Sequence, residues 1–268
     1  MGFRLLAPPG SRTIQRPIWW LSLACGGIPD VTSGAHVELV TWLRAQYAQG
    51  ATLCSVCTGA FFVAATGWLD EQEATVSWFA AEAFRAHFPR VRVKDERLLI
   101  DNGRVVTSGA STSFINLCVY LIEKHYGPSL GNYCAKLFLV NKGAQSQRAY
   151  AIFSHQKTHQ DEAIREAQDF IEDHITEKLT VRQVLKEVSL SERSFIRRFK
   201  SATGVAPLEY IQRTKVEYAK RQLEEESTSV KEISYSTGYA DINYFRSTFK
   251  RYTGLTPLAY RRQYSFGI

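Results

Sequence analysis

Residues 195–210 and 245–260 carry one pattern twice, fifty positions apart. Phe195-Ile196-Arg197-Arg198-Phe199-Lys200 lies over Phe245-Arg246-Ser247-Thr248-Phe249-Lys250, and both continue into Thr-Gly-x-x-Pro-Leu-x-Tyr. The identical pairs are Phe195/Phe245, Phe199/Phe249, Lys200/Lys250, Thr203/Thr253, Gly204/Gly254, Pro207/Pro257, Leu208/Leu258 and Tyr210/Tyr260, eight of sixteen positions. Self-similarity at a fixed spacing means a duplicated structural unit, and two copies are too few for a solenoid. A paired module is the reading that remains.

Each copy follows the same local logic. Phenylalanines at i and i+4 make one apolar stripe on a helix. Gly204 or Gly254 ends that helix as a C-terminal cap, and Pro207 or Pro257 opens the next, where a missing N–H costs little. A short amphipathic helix precedes each copy. In the first, Thr180 is placed to cap Val181, Val184, Leu185 and Val188, and Ser191 starts the following helix. In the second, Ser229 caps Val230 and Ile233, Gly238 turns the chain, and Asp241 caps the next helix. Residues 207–226 read as one long helix that holds the two units at fixed separation. Helix, turn, helix with a basic outer face is the arrangement that enters the major groove.

Charge placement separates this reading from a plain helical bundle. The formal net charge is +7, but a short acidic helix near 161–179 sits among the basic stretches, so bulk charge alone decides nothing. The spans 193–200 and 243–262 matter more. The first holds Arg193, Arg197, Arg198 and Lys200, the second Arg246, Lys250, Arg251, Arg261 and Arg262, and neither contains an acid. Unopposed cations of this kind suit phosphate contacts. With Phe195 and Phe199 inward, Arg193, Ser194, Ile196, Arg197 and Lys200 are the candidate DNA-facing residues of the first unit. With Phe245 and Phe249 inward, the second unit offers Asn243, Tyr244, Arg246, Ser247 and Lys250. Arg197 can fork to guanine, Ile196 can meet a thymine methyl, and Asn243 can pair with adenine. Lys200 and Lys250 are expected to clamp phosphates.

The stretch from Ile233 through Gly238-Tyr239, Phe245, Phe249-Lys250, Gly254 and Pro257 to Tyr260-Arg261 resembles the signature of the AraC/XylS family, and the resemblance covers roughly 161–264. It implies promoter binding through both units and regulation of transcription. One position departs: where the family often has Arg two residues after the Phe matching Phe245, this chain has Ser247, with Arg246 beside it.

The N-terminal part alternates strand-like and helix-like segments over 18–140: a strand at Ile18–Cys25, an amphipathic helix at Val37–Tyr47, a buried strand at Ala51–Val56, helices at 58–66, 78–87 and 112–125, and short strands near Ala74–Ser77, Val91–Val93, Leu98–Ile100 and Val105–Thr107. That order implies an α/β sandwich, flavodoxin-like, with a mainly parallel sheet. The uncharged stretches 51–69 and 105–122 are read as its core and not as membrane spans. Five cysteines, an odd number, with no secretory pattern argue against a disulfide framework.

Ser55-Val56-Cys57-Thr58-Gly59-Ala60 takes a strand straight into a helix with Cys57 at the turn, as in a nucleophile elbow. A helix N-terminus there would favour the thiolate. With the Gly26-Gly27 turn, Ala74-Thr75-Val76-Ser77-Trp78 and the Gly143-Ala144-Gln145-Ser146-Gln147 stretch, this segment resembles the class I glutamine amidotransferase-like (PfpI-type) domain that many AraC-type regulators carry. Hydrolytic relatives place His after the Cys, where Thr58 stands; related regulators often have His at the position of Ser77. No His in the chain has a clear claim to be the base for Cys57. From sequence the sheet begins only at Ile18, after Pro8, Pro9, Gly10 and Pro17, so the N-terminus reads as abbreviated relative to that family.

These readings combine into two domains: a sensing domain over 1–142, a polar linker over 143–160, and a DNA-binding domain over 161–268 with two all-α helix-turn-helix units. The expected function is sequence-specific promoter binding and activation, controlled by a small molecule or redox signal at Cys57, Thr58, Gly26 and Gly27. The alternatives are a thiol-dependent amidase or hydrolase with a DNA-binding tether, and a purely structural Cys57. No catalytic residue, metal or cofactor is expected; Cys54-x-x-Cys57 lacks the second pair a zinc site needs. The expected partners are double-stranded promoter DNA, an effector, RNA polymerase and a second copy of the chain, in the cytoplasm at the nucleoid, without a membrane.

Overall fold

A computed structural model describes residues 4–5, 18–22, 27–110, 112–143, 145–153, 157, 159–225 and 228–265. The chain divides into two compact units, Met1–Arg148 and Ala149–Ile268. Cys25, Gly26 and Pro8, Pro9, Gly10 and Pro17 lie outside the described residues, as do Ala144 and Gln156 of the expected linker.

The first unit is built on a five-stranded sheet in the order β1 (Arg4–Leu5), β2 (Ile18–Ser22), β3 (Thr52–Val56), β7 (Val105–Ser108), β6 (Leu99–Asp101). β2, β3 and β7 run parallel, while β1 and β6 pair antiparallel at the two edges. The sheet therefore does not begin at Ile18: a two-residue strand precedes it, too short to leave a periodic signal. β4 (Glu73–Ala74) and β5 (Arg92–Val93) form a separate parallel pair.

Alternation along β3 and β7 sends successive residues to opposite faces. Leu53 and Val105, paired in register, join one core with residues of α1 (Gly34–Ala48), α2 (Ala60–Ala65) and α3 (Ala81–His87). Cys54, Val56 and Val106 join Leu117 and Leu121 of α4 (Ser113–Tyr126) on the other face. The uncharged stretches 51–69 and 105–122 are thus the inside of a layered α/β sandwich, and no described helix is long and apolar enough to cross a membrane. Sequence alone does not mark helix α5 (Pro128–Leu137), opened by a proline after Gly127: its buried stripe is the small pair Gly131 and Ala135, while Leu130, Tyr133 and Leu137 are exposed.

The second unit is helical: α6 (Glu162–Asp173), α7 (Val181–Lys186), α8 (Glu192–Thr203), α9 (Pro207–Glu225), α10 (Val230–Ser236), α11 (Ile242–Thr253) and α12 (Pro257–Tyr264). Local chemistry sets the boundaries. Thr180 and Ser229 form capping boxes with Gln183 and Glu232. Ser191 and Asp241 accept hydrogen bonds from the first-turn amides of α8 and α11. Gly204 and Gly254 end those helices in the left-handed region at φ 76°, where glycine carries no Cβ penalty.

The repeat is duplicated in three dimensions. Phe195, Phe199 and Tyr210 meet edge-on in one core, with ring centroids 5.4 and 5.3 Å apart; in the other, Phe245 is tilted against Phe249 at 5.8 Å and Phe249 meets Tyr260 edge-on at 5.4 Å. Tyr210 donates to Glu172 and Tyr260 to Glu224. The Thr203 hydroxyl donates to the Phe199 carbonyl and accepts from the Val205 amide, and Thr253 repeats both bonds with Phe249 and Leu255. Two small cores are therefore closed by the same residues, and α9 contributes to both, through Tyr210 and Ile211 to one and Val216, Ala219 and Leu223 to the other.

Candidate nucleic-acid interface and the turn at Cys57

The core-facing phenylalanines dictate what α8 and α11 turn outward. On α8, Arg193, Ile196, Arg197 and Lys200 are exposed and Ser194 is half-buried. Ile196 keeps 41% of its surface, an apolar side chain in a basic row. Glu192, Arg193, Ile196 and Arg197 line a shallow open groove on this face. On α11, Asn243, Tyr244, Arg246, Ser247 and Lys250 are exposed. The Tyr244 hydroxyl accepts a 2.7 Å hydrogen bond from Gln212 of α9, and the Ser247 hydroxyl donates back to the Tyr244 carbonyl. Both rows lie on helices whose first turns are capped and whose opposite faces are packed, so the side chains project from fixed backbones.

The charge rows are narrower than their sequence suggests. Arg198 is not unopposed: it makes a two-pronged pair with Asp161, at 2.6 and 2.9 Å, 37 residues upstream. The Arg198 guanidinium holds the Asp161 carboxyl below the usual carboxylate range, and the same carboxylate caps α6. Arg251 donates to Gln212 and Tyr252, and Arg261 donates to the Thr228 carbonyl. These three cations fasten the fold. Arg193, Arg197, Lys200, Arg246, Lys250 and Arg262 are exposed and make no ion pair among the described residues, so six cations remain for an anionic partner.

A seam between the two helical cores involves residues that the repeat does not reveal. Lys215 of α9 is 4% exposed. Its ammonium donates to the Glu177 carbonyl after α6 and to the Thr237 carbonyl after α10, at 2.5 and 2.6 Å. Burial pushes it down to about 8, against a smaller opposing pull from Glu177. Gly238, at φ 71°, lies against the same groups: a Cβ there would overlap the Glu177 carbonyl and come within 2.6 Å of the Lys215 nitrogen.

In the first unit, Cys57 follows β3 with φ 58°, in the left-handed region that costs a non-glycine residue about 1–3 kcal/mol. The sharp strand-to-helix turn is therefore present. The helix expected over 58–66 follows in two parts. A 3-10 turn over Cys57–Gly59 leads into the six-residue α2, too short for a helix-terminus argument about the thiol. Cys57 is wholly buried, and its amide donates to the Gly109 carbonyl at 2.7 Å. No described imidazole hydrogen-bonds its sulfur. His36 bonds to Asp30 and Ser33, and His87 to Ala83. Thr58 is also wholly buried, and the hydroxyls of Ser55, Thr58 and Ser77 have no hydrogen-bond partner among the described residues. Gly27 is exposed at φ 131°. Among the described residues no group of three His, Cys, Asp or Glu side chains could hold a metal ion.

Comparison with known proteins places these two units. Residues 184–263 match the family described as Helix-turn-helix domain, and residues 23–124 match the DJ-1/PfpI family. The HTH-type transcriptional regulator GbdR of Pseudomonas aeruginosa is 25% identical over 250 residues, covering 93% of this chain and 68% of its own. The HTH-type transcriptional regulator GlxA of Rhizobium meliloti is 26% identical over 235 residues, 87% of this chain and 70% of its own. The HTH-type transcriptional activator RhaS of Salmonella paratyphi B is 32% identical over 100 residues, 37% of this chain and 36% of its own.

Proposed function

The chain joins a DJ-1/PfpI-family domain to an AraC-type helix-turn-helix domain, and from that premise we propose a transcription regulator that grips promoter DNA with α8 and α11 and takes its signal at the Cys57 turn. The observation that carries the first half is the paired presentation of outward cations on two helices with duplicated cores. α9 spans 19 residues, roughly 28 Å at 1.5 Å per residue, and a rigid helix of that length suits two reading helices on one face of a duplex.

In this reading Arg193 and Arg197 point into the groove together, with Ser194 and Ile196 beside them. Asn243, Tyr244, Arg246 and Ser247 read bases from the second unit. Lys200 and Lys250 hold phosphates. Arg197→Ala is expected to cost about 1–3 kcal/mol and relax preference at one base position, whereas Lys250→Ala weakens all sequences alike. Binding assays against a library randomised one position at a time check this. Equal losses for Arg197→Ala on specific and random DNA would move that side chain to the backbone.

The second half rests on the strained backbone at Cys57 and on the buried hydroxyls of Ser55, Thr58 and Ser77. Unpaired buried polar groups are uncommon and call for a partner, which a small polar effector supplies. Cys57 and Thr58, with Gly26 and Gly27, are the proposed effector or redox contacts, and catalysis is no part of the proposal. Residues 1–142 act as the sensing domain, 161–268 as the DNA-binding domain and 143–160 as their connection. A homodimer, a contact with RNA polymerase, activation as the output and a cytoplasmic, nucleoid-bound location complete the reading. Cys57→Ser is expected to leave folding and operator binding intact while blunting the transcriptional response. An unchanged response to every signal tested would reduce Cys57 to a structural residue. Amide hydrolysis that disappears in Cys57→Ala would favour the amidase reading.

A further inference from the structure

The stretch 145–147 is bound into the first unit at the carboxyl ends of its strands. Ser146 pairs with Arg97 as an isolated antiparallel bridge. The Leu98 amide donates to the Gln145 carbonyl at 2.9 Å, and the Gln147 amide to the Glu96 carbonyl at 3.0 Å. The Gln147 side chain is 1% exposed. Its Nε2 donates to the carbonyls of Val76 at 2.8 Å and Asp95 at 2.6 Å, and its Oε1 accepts from the Ala110 amide at 3.3 Å. Carbonyls on one side and an N–H on the other fix which end of the amide faces which way. Gly109 leaves the room: a Cβ there would lie 2.7 Å from Gln147 Oε1. Gly109 is also the residue whose carbonyl accepts from the Cys57 amide.

We infer that Gly109, Ala110, Val76 and Asp95 form a recognition hollow for a primary carboxamide, and that Gln147 is its resident ligand, fastening the chain to the first unit immediately before the second begins. The hollow matches both ends of a carboxamide and no other common side-chain group: a carboxylate would set oxygen against two carbonyls, and an alkyl group would leave three backbone groups unpaired. Because Gln147 is tethered, its effective concentration excludes a free amide from the hollow. Only two residues beyond it, Ala149 opens the second unit, where Ala151 accepts a 2.7 Å hydrogen bond from Lys220 and the Phe153 ring lies 5.3 Å from Tyr210. The hollow therefore holds the last residues of the first unit in place. It goes beyond the effector reading and does not depend on it.

Limited trypsin digestion of the full chain tests this, scored by mass spectrometry as cleavage after Arg148 relative to cleavage after Lys157, whose side chain is held by Asp169 and Glu172. Gln147→Ala is expected to raise that ratio at least tenfold. Gln147→Glu is expected to raise it at least as far. Gly109→Ala, which fills the hollow while keeping Gln147, is expected to give the same opening. An unchanged ratio in Gln147→Ala and Gly109→Ala overturns the proposal. So does a Gln147→Glu chain that is cleaved like the wild type. New cuts elsewhere in the first unit, after Lys94 or Arg104, in both variants would make Gln147 an ordinary core residue and also overturn it.

Discussion

Gly238→Ala is expected to destabilise the helical unit by about 3 kcal/mol or more, the sum of a left-handed backbone forced on alanine and an overlap that packing cannot absorb. The added Cβ meets the Glu177 carbonyl and the Lys215 ammonium, and those two groups are themselves hydrogen-bonded across the seam between the helix-turn-helix cores. The substitution therefore opens the seam, and the loss appears twice: a melting midpoint lower by roughly 10 °C or more, and loss of tight binding to a two-part operator. Lys215→Met is the companion test. Lys215 is pushed down to about 8 from its ordinary 10.5, so between those values the unfolded chain binds more protons than the folded one. Stability from this group rises with pH across that window. The rise is expected to vanish in Lys215→Met, and a Gly238→Ala protein with wild-type melting and binding would contradict the seam.

Operator affinity is expected to fall by about three orders of magnitude between 50 and 200 mM salt. The six exposed cations Arg193, Arg197, Lys200, Arg246, Lys250 and Arg262 set the scale. Each neutralised phosphate contributes a slope of about −0.9, so six give about −5 in log K against log salt. Lys250→Ala should flatten that slope by about one. Arg198→Ala should leave the slope nearly unchanged and instead cost stability, because its partner is Asp161 and not a phosphate. Titrations by fluorescence anisotropy at four or five salt concentrations check both statements. A flat salt response contradicts the phosphate role of these side chains.

The helical unit is legible because its signals are local. Caps at Thr180, Ser191, Ser229 and Asp241, stops at Gly204 and Gly254, and Phe pairs one turn apart all act within a few residues, and each forms the bond its type favours. The outward rows follow from the inward phenylalanines by helical geometry alone. What sequence does not show is long-range pairing. Arg198 looks free because its acid lies 37 residues away, and Lys215 and Lys220 are buried cations on a helix whose charges look solvated. In the α/β unit, long apolar stretches mark the central strands, whereas β1 is two residues long and carries too little pattern. The turn at Cys57 is legible from a strand running into small residues. The 3-10 turn over Cys57–Gly59 that precedes α2 is not, because nothing in Cys-Thr-Gly distinguishes a 3-10 turn from the first turn of an α-helix. Gln147 is the clearest case: among Gly, Ser and Gln it reads as part of a polar linker, yet backbone groups from three separate segments bury its side chain.

The central claim is that two helices of one chain read DNA together, and selection from a fully randomised duplex library followed by footprinting tests it most directly. The wild-type chain should enrich a site with two blocks of preferred bases one helical turn apart, about 10 bp, both protected on one face of the duplex. Asn243→Ala with Arg246→Ala should erase the preference in one block and leave the other, and Arg193→Ala with Arg197→Ala should do the reverse. A single block, or a library recovered without sequence preference, would contradict the account.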